Sequence, residues 1–226
     1  MKILSFVLIA VFMCISTAHT QKWARLAEFP EPAEELLGAS AGGKLDVFCG
    51  LAPGWQPMGL VYEYDPATDT WTKKKPMPLA SHHVSFTEYR GKIYVIGGRV
   101  GAAGITTASN TNVVEEYDPG TDSWGGVPAR MPTARSAMAS GVYGGRIYVT
   151  GGEFQDSQMM ATFRALEAYD PANNTWSVLP SMPVARHGPA GAVVGNRLHM
   201  VSGDVQSAGT GIHVHAPYHD AFELGK

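Results

Sequence analysis

The sequence predicts an all-β protein made of four copies of one four-stranded antiparallel unit. Three recurrences predict it. The octapeptide YDPATDTW (64–71) returns as YDPGTDSW (117–124) and YDPANNTW (169–176). An apolar stretch ending in glycine appears as KIYVIGG (92–98) and RIYVTGG (146–152), and more weakly as RLHMVSG (197–203) and KLDVFCG (44–50). A third element reads MPLASHH (77–83), MPTARSA (131–137) and MPVARHG (182–188), with FPEPAEE (29–35) as its divergent first copy. Several elements recurring in one order at a period of about 50 residues mark a repeat architecture. The 26 Gly and 15 Pro, with only 16% charged residues, suit a folded chain rich in turns rather than a disordered one.

The chain opens on MKILSFVLIAVFMCISTAHTQ. Lys2 followed by the apolar run 3–15, then small Ser16 and Ala18, has the layout of a secretory signal peptide cleaved after Ala18. The run is too short for the ~20 residues that span a bilayer. The expectation is a signal peptide at 1–18, a β domain at 19–226, and a secreted or periplasmic location with no membrane attachment after cleavage. Losing Lys2 makes the formal charge of −3 one unit more negative. That mild acidity, without a basic run, argues against nucleic acid or an anionic membrane as partner. Cys49 is then the only cysteine left, so no disulfide forms within the domain.

Each unit in turn supplies four strands. The innermost is small and apolar, as in SAMASGVY (136–143), which suits crowding around an axis. The second, RIYVT (146–150), has the β-branched and aromatic content of a strand. The third lies near 59–64, 112–117, 164–169 and 219–224. The outer one carries Trp71, Trp124 or Trp176 as a large apolar plug between sheets. Asp-Pro-x-x-Asp/Asn between the last two is turn chemistry, since proline presets φ and the Asp carboxylate bonds nearby amides. The octapeptide is therefore a hairpin, a unit of construction. Repeats run approximately over 24–71, 72–124, 125–176 and 177–224. The fourth lacks an outer strand, and the N-terminal KWARLA, with Trp23, is expected to supply it from 19–26 and so close the ring; the alternative is an open arc that pairs with another copy of the chain.

A four-stranded unit with Gly-Gly after its second strand and Tyr…Trp on its last two resembles the kelch repeat, across nearly all of 22–224. The resemblance implies a β-propeller, here with four blades where the similar secreted bacterial proteins have six or seven. Those proteins include sialic-acid mutarotases, and galactose oxidases carry a related propeller. The copper-radical chemistry of the latter needs a cysteine cross-linked to tyrosine. Cys49 occupies the first glycine position of a Gly-Gly pair and reads as buried and inert, so no cofactor is expected.

In such a propeller the loops entering each inner strand and those after Gly-Gly share one face. Aligning the repeats puts Ala33, Ser81, Arg135 and Arg186 at one position, then Glu34, His82, Ser136 and His187, with His83 following His82. The residues after Gly-Gly are Leu51, Arg99, Glu153 and Asp204. These positions vary among charged and polar types, as a binding face on a rigid scaffold should. The candidate ligand-binding set is therefore Ser81, His82, His83, Arg99, Arg135, Glu153, Arg186, His187 and Asp204. Arg135 and Arg186 are expected to point at the channel mouth, and Glu153 with His187 is the candidate acid–base pair. HVHAPYHD (213–220) offers His213, His215 and His219 as a weaker metal set in a loop. Asn173 begins an N-glycosylation sequon inside the third hairpin. Three functions fit: binding of a small polar or sugar-like ligand, mutarotase-like isomerisation on the same face, and a protein-interaction scaffold.

Overall fold

The computed structural model describes residues 23–102 and 109–225. The segment 1–18, read above as a signal peptide, lies outside them. The first blade is β1 (Glu34–Ala41), β2 (Lys44–Ala52), β3 (Gln56–Asp65) and β4 (Thr70–Lys73). The second is β5 (Ser85–Tyr89), β6 (Lys92–Ile96), a short ribbon β7 (Arg99–Val100) and β8 (Ser109–Asn110), then β9 (Val114–Asp118) and β10 (Ser123–Gly125). The third is β11 (Ala139–Tyr143), β12 (Arg146–Thr150), the ribbon β13 (Glu153–Gln155) and β14 (Met160–Thr162), then β15 (Leu166–Asp170) and β16 (Thr175–Leu179). The last is β17 (Ala190–Val194), β18 (Arg197–Val201) and β19 (His219–Glu223). Every pairing is antiparallel, and each sheet follows the order of its strands from the axis outward. The protein is a four-bladed β-propeller.

The core lies between blades. One apolar cluster joins Phe48 and Val61 of the first blade to Ile93, Val95 and Tyr117 of the second. A second joins Tyr94 and Ile96 to Ile147, Val149 and Tyr169, and a third joins Tyr148 and Leu166 to Leu198 and Met200. The Met of each Met-Pro element, Met77, Met131 and Met182, is buried in one of these clusters. Small residues on the inner strands serve close approach. A Cβ on Gly191 would lie 2.6 Å from the Cβ of Ala139 on the neighbouring blade.

The octapeptide does more than turn. Tyr64, Tyr117 and Tyr169 donate their hydroxyls to the side-chain oxygen of Asp69, Asp122 and Asn174, at 2.7, 2.9 and 2.8 Å. Those three residues sit in the left-handed region, at φ 52°, 48° and 53°. Each also accepts a backbone N–H from the connector entering the same blade: Ala27, Lys75 and Ala129. The Trp indole N–H then donates to that connector residue's carbonyl, at 3.1, 3.0 and 2.8 Å. The tryptophans thus pin connectors as well as plug sheets: Trp124 packs edge-on against Phe48 of the preceding blade.

The same geometry corrects the expected closure. Residues 23–33 form no strand, Trp23 is fully exposed, and the last sheet has three strands among the described residues. The N-terminal segment instead runs as the connector of the first blade. There Phe29 stacks edge-on against Tyr62 and Trp71, and Glu31 accepts from the Tyr62 hydroxyl and pairs with Lys73. KWARLA lacks the preceding Tyr-Asp-Pro turn that would pair it as an outer strand. The inner strands pack in series, β1 on β5, β5 on β11, and β11 on β17. At the end of that series Ala190, Gly191, Ala192 and Val194 of β17 are exposed. Among the described residues no helix is long and apolar enough to cross a membrane.

Candidate functional site

The alignment of repeats places its pairs correctly. His82, Ser136 and His187 each exchange two backbone hydrogen bonds with Arg99, Glu153 and Asp204, and Glu34 pairs with Leu51 in the first blade. Glycine is required just before: Gly152 has φ 105°, and a Cβ there would meet the Ser136 carbonyl at 2.6 Å. The residues that follow the rim position, Glu35, His83, Ala137 and Gly188, all have positive φ between 52° and 59°. Their backbones stitch blade to blade, Ala137 N–H to the His83 carbonyl and Gly188 N–H to the Ala137 carbonyl, both at 2.8 Å.

Arg135 and Arg186 do not face the mouth. Both are fully buried inside their own blades. Arg135 donates to the Gly151, Ala165 and Val149 carbonyls and forms a 2.8 Å ion pair with Glu167 on the third strand. Arg186 donates to the Val184 and Met200 carbonyls and pairs with Asp220 at 2.8 Å. They brace their sheets, because a buried guanidinium is stable only with an acid and several carbonyls around it. Ser81, at the same position of the second blade, is likewise buried.

Arg99, Glu153, His82, His83 and His187 do converge, although they come from three blades. Arg99 is 5% exposed, and its Nε and Nη2 have no hydrogen-bond partner among the described residues. Its Nη1 stands 3.9 Å from Glu153 Oε1. Glu153 is 1% exposed; its Oε2 accepts from the Ser207 hydroxyl and the Ala208 N–H, both at 2.8 Å, and lies 4.0 Å from His187 Nε2. His187 Nε2 and His82 Nε2 are also buried without a partner among the described residues. Burial, with His83 and Arg99 alongside, pushes His82 down to about 4, and burial likewise lowers His83 against the pull of Glu35. The arrangement can hold an anionic or hydroxyl-rich group against Arg99 and exchange a proton through Glu153 and His187.

Asp204 takes another part. Both its oxygens are used by its own loop: Oδ1 by the Gln206 and Val214 amides, Oδ2 by His213 at 2.8 Å. Burial would raise this carboxyl, but those amides, His213 and His187 hold it at about 2. His213 and His215 gather around Asp204, while His219 contacts His199 at 3.0 Å, so the three histidines do not form one set. Cys49 is buried, and burial chiefly, with Glu115, pushes its thiol up to about 12.

Sequence reasoning missed Glu35, Ser207 and Asn110. Glu35 was findable, since it stands in the His83 position of the first blade. Asn110 was not: it bridges ribbons of neighbouring blades, donating to Ser136 Oγ and the Glu153 carbonyl from a variable loop.

The KLHDC2/KLHL20/DRC7 Kelch-repeats domain matches residues 10–208. Kelch-like protein terF of Aspergillus terreus is 28% identical over 204 residues, 84% of this chain and 42% of that protein. Kelch repeat and BTB domain-containing protein 12 of Danio rerio is 35% identical over 172 residues, 70% of this chain and 27% of that protein. The chain therefore spans less than half the length of these relatives. Among solved structures, that of YjhT superposes with a TM-score of 0.70 at 21% identity, over 83% of this chain and 64% of that one. With four blades built on one repeat and a family match over most of its length, the chain belongs to the kelch-repeat family.

Proposed function

We propose that the channel-mouth face binds a small acidic or hydroxyl-rich ligand, a sugar acid in the first instance. One observation carries this reading: Arg99 is buried yet two of its guanidinium nitrogens have no hydrogen-bond partner among the described residues, beside Glu153 and His187. A planar fork of that kind suits a carboxylate or vicinal hydroxyls. Calorimetric titration with N-acetylneuraminic acid and glucuronic acid, against glucose, tests it. The acids bind more tightly, and Arg99→Ala weakens them about 10- to 100-fold, the scale of a charged hydrogen bond. Equal binding of acid and neutral sugars, or affinity unmoved by Arg99→Ala, removes the reading.

The approach of Glu153 to His187 supports mutarotase-like isomerisation as a second reading, because ring opening needs only a general acid and a base. Exchange NMR between sugar anomers measures it, and Glu153→Gln slows the exchange toward the uncatalysed rate. Kinship with Kelch-like proteins supports a protein partner on the same face, to be sought by pull-down from the native compartment. The leader-like residues 1–18 support export, with a mature chain beginning close to His19; N-terminal sequencing that finds Met1 retained overturns it.

A further inference from the structure

Beside Arg99 lies a donor set that the ligand reading does not use. Glu35 comes from β1, His82 and His83 from the loop entering β5, and one donor atom from each lies within 4.8 Å of the other two. His82 Nδ1 and His83 Nδ1 face each other at 2.6 Å, and Glu35 Oε2 stands 3.0 Å from His83 Nδ1 and 3.9 Å from His82 Nδ1. We infer that Glu35, His82 and His83 form a binding site for one divalent transition-metal ion of the zinc or copper type.

Three features carry this. Two imidazoles and a carboxylate are the donors that select such ions over magnesium or calcium, which prefer oxygen alone. The backbone holds the donors in place: Glu35 and His83 occupy equivalent left-handed positions in adjacent blades, and His82 is fixed by two backbone hydrogen bonds to Arg99. The required movement is small, since two nitrogens at ~2.0–2.1 Å from a tetrahedral ion stand about 3.3 Å apart, and the present separation is 2.6 Å. Three protein ligands leave a fourth position for water or substrate. The Arg99 charge nearby is opposed by Glu153 at 3.9 Å.

The other cluster, Asp204 with His213 and His215, is the poorer host. Asp204 is already spent on two amides, and His213 is largely exposed. It serves as the internal control.

The test is titration of chelator-treated full-length protein with zinc sulfate, followed by calorimetry, and with one equivalent of Cu(II), followed by electron paramagnetic resonance. One zinc ion binds per chain. Glu35→Gln and His83→Asn each weaken it at least tenfold, while His213→Ala leaves it unchanged. The Cu(II) spectrum shows two nitrogen ligands, falling to one in His83→Asn. Asn suits the left-handed backbone at 83 and Glu35 is partly exposed, so these variants fold where one at buried His82 need not. Absence of stoichiometric zinc binding overturns the inference. So does binding lost in His213→Ala but kept in Glu35→Gln and His83→Asn.

Discussion

Glu115 occupies the position that Glu167 and Asp220 hold in the next two blades, opposite Val95 where those lie opposite Val149 and Met200. Its partner position holds Ser81 in place of an arginine, and among the described residues only the Leu79 N–H reaches it, at 2.9 Å. Burial therefore raises its carboxyl to about 7, against the Leu79 bond. A carboxyl raised on folding holds its proton more tightly in the native state, so stability falls as pH rises from its ordinary range through about 7. Glu115→Gln removes that slope. The variant and the parent melt alike near pH 5, and at pH 8 the variant is more stable by about 1–2 kcal/mol, discounted because solvent reaches the group from an adjoining cleft. Denaturant unfolding at the two pH values measures this, and parallel pH profiles overturn it. Where the arginine is present the logic reverses. Arg135→Met strands buried Glu167 and costs about 3–5 kcal/mol, most of which Arg135→Met with Glu167→Leu restores. Chemical denaturation of the two variants reads the difference, and equal stabilities would show that the pair does not brace the blade.

At the scale of the element, the hairpin was legible because its chemistry is local. Tyr, Asp, Pro, Asp or Asn, and Trp interact within eight residues, and the register Tyr64 to Trp71 is realised in the sheet as Tyr117 to Trp124 and Tyr169 to Trp176. What those residues hold was not legible, because the connector they clamp lies 42 to 49 residues earlier in the chain. The arginines were misassigned for the same reason. Their acids sit on the third strand, 32 residues from Arg135 in one case, and only the paired recurrence of acid and arginine across blades hinted at burial. The clamp gives a graded prediction at Asp122. Asp122→Asn keeps stability within ~0.5 kcal/mol, since Asn174 performs the same two acceptances in the third blade. Asp122→Ala loses the Tyr117 and Lys75 bonds and strains the left-handed backbone, for about 2–3 kcal/mol in all. Asp122→Gly relieves the strain but not the lost bonds, and falls between. Equal effects of Ala and Gly would show that backbone conformation plays no part.

For the whole molecule the consequence is uneven stability. A repeat array is held by the intrinsic stability of each unit and by its contacts with neighbours, so units covered on both sides resist opening longest. The second and third blades have a neighbour on each side and full four-stranded sheets. Among the described residues the last blade has three strands, an inner strand largely open to solvent, and apolar contacts from Val193, Leu198, Met200, Phe222 and Leu224 at a single interface. Backbone amides in β6 and β12 should therefore exchange hydrogen through near-global opening. Those of β18 and β19 should exchange through a local opening at least tenfold more frequent, a difference of about 1.4 kcal/mol or more. Native-state hydrogen exchange with peptide-level mass spectrometry resolves the blades. The same experiment on Trp23→Ala should match the parent throughout, because that side chain is fully exposed. Uniform protection from β5 to β19, or loss of protection in the last blade of Trp23→Ala, would mean that the N-terminal segment completes the fourth blade after all.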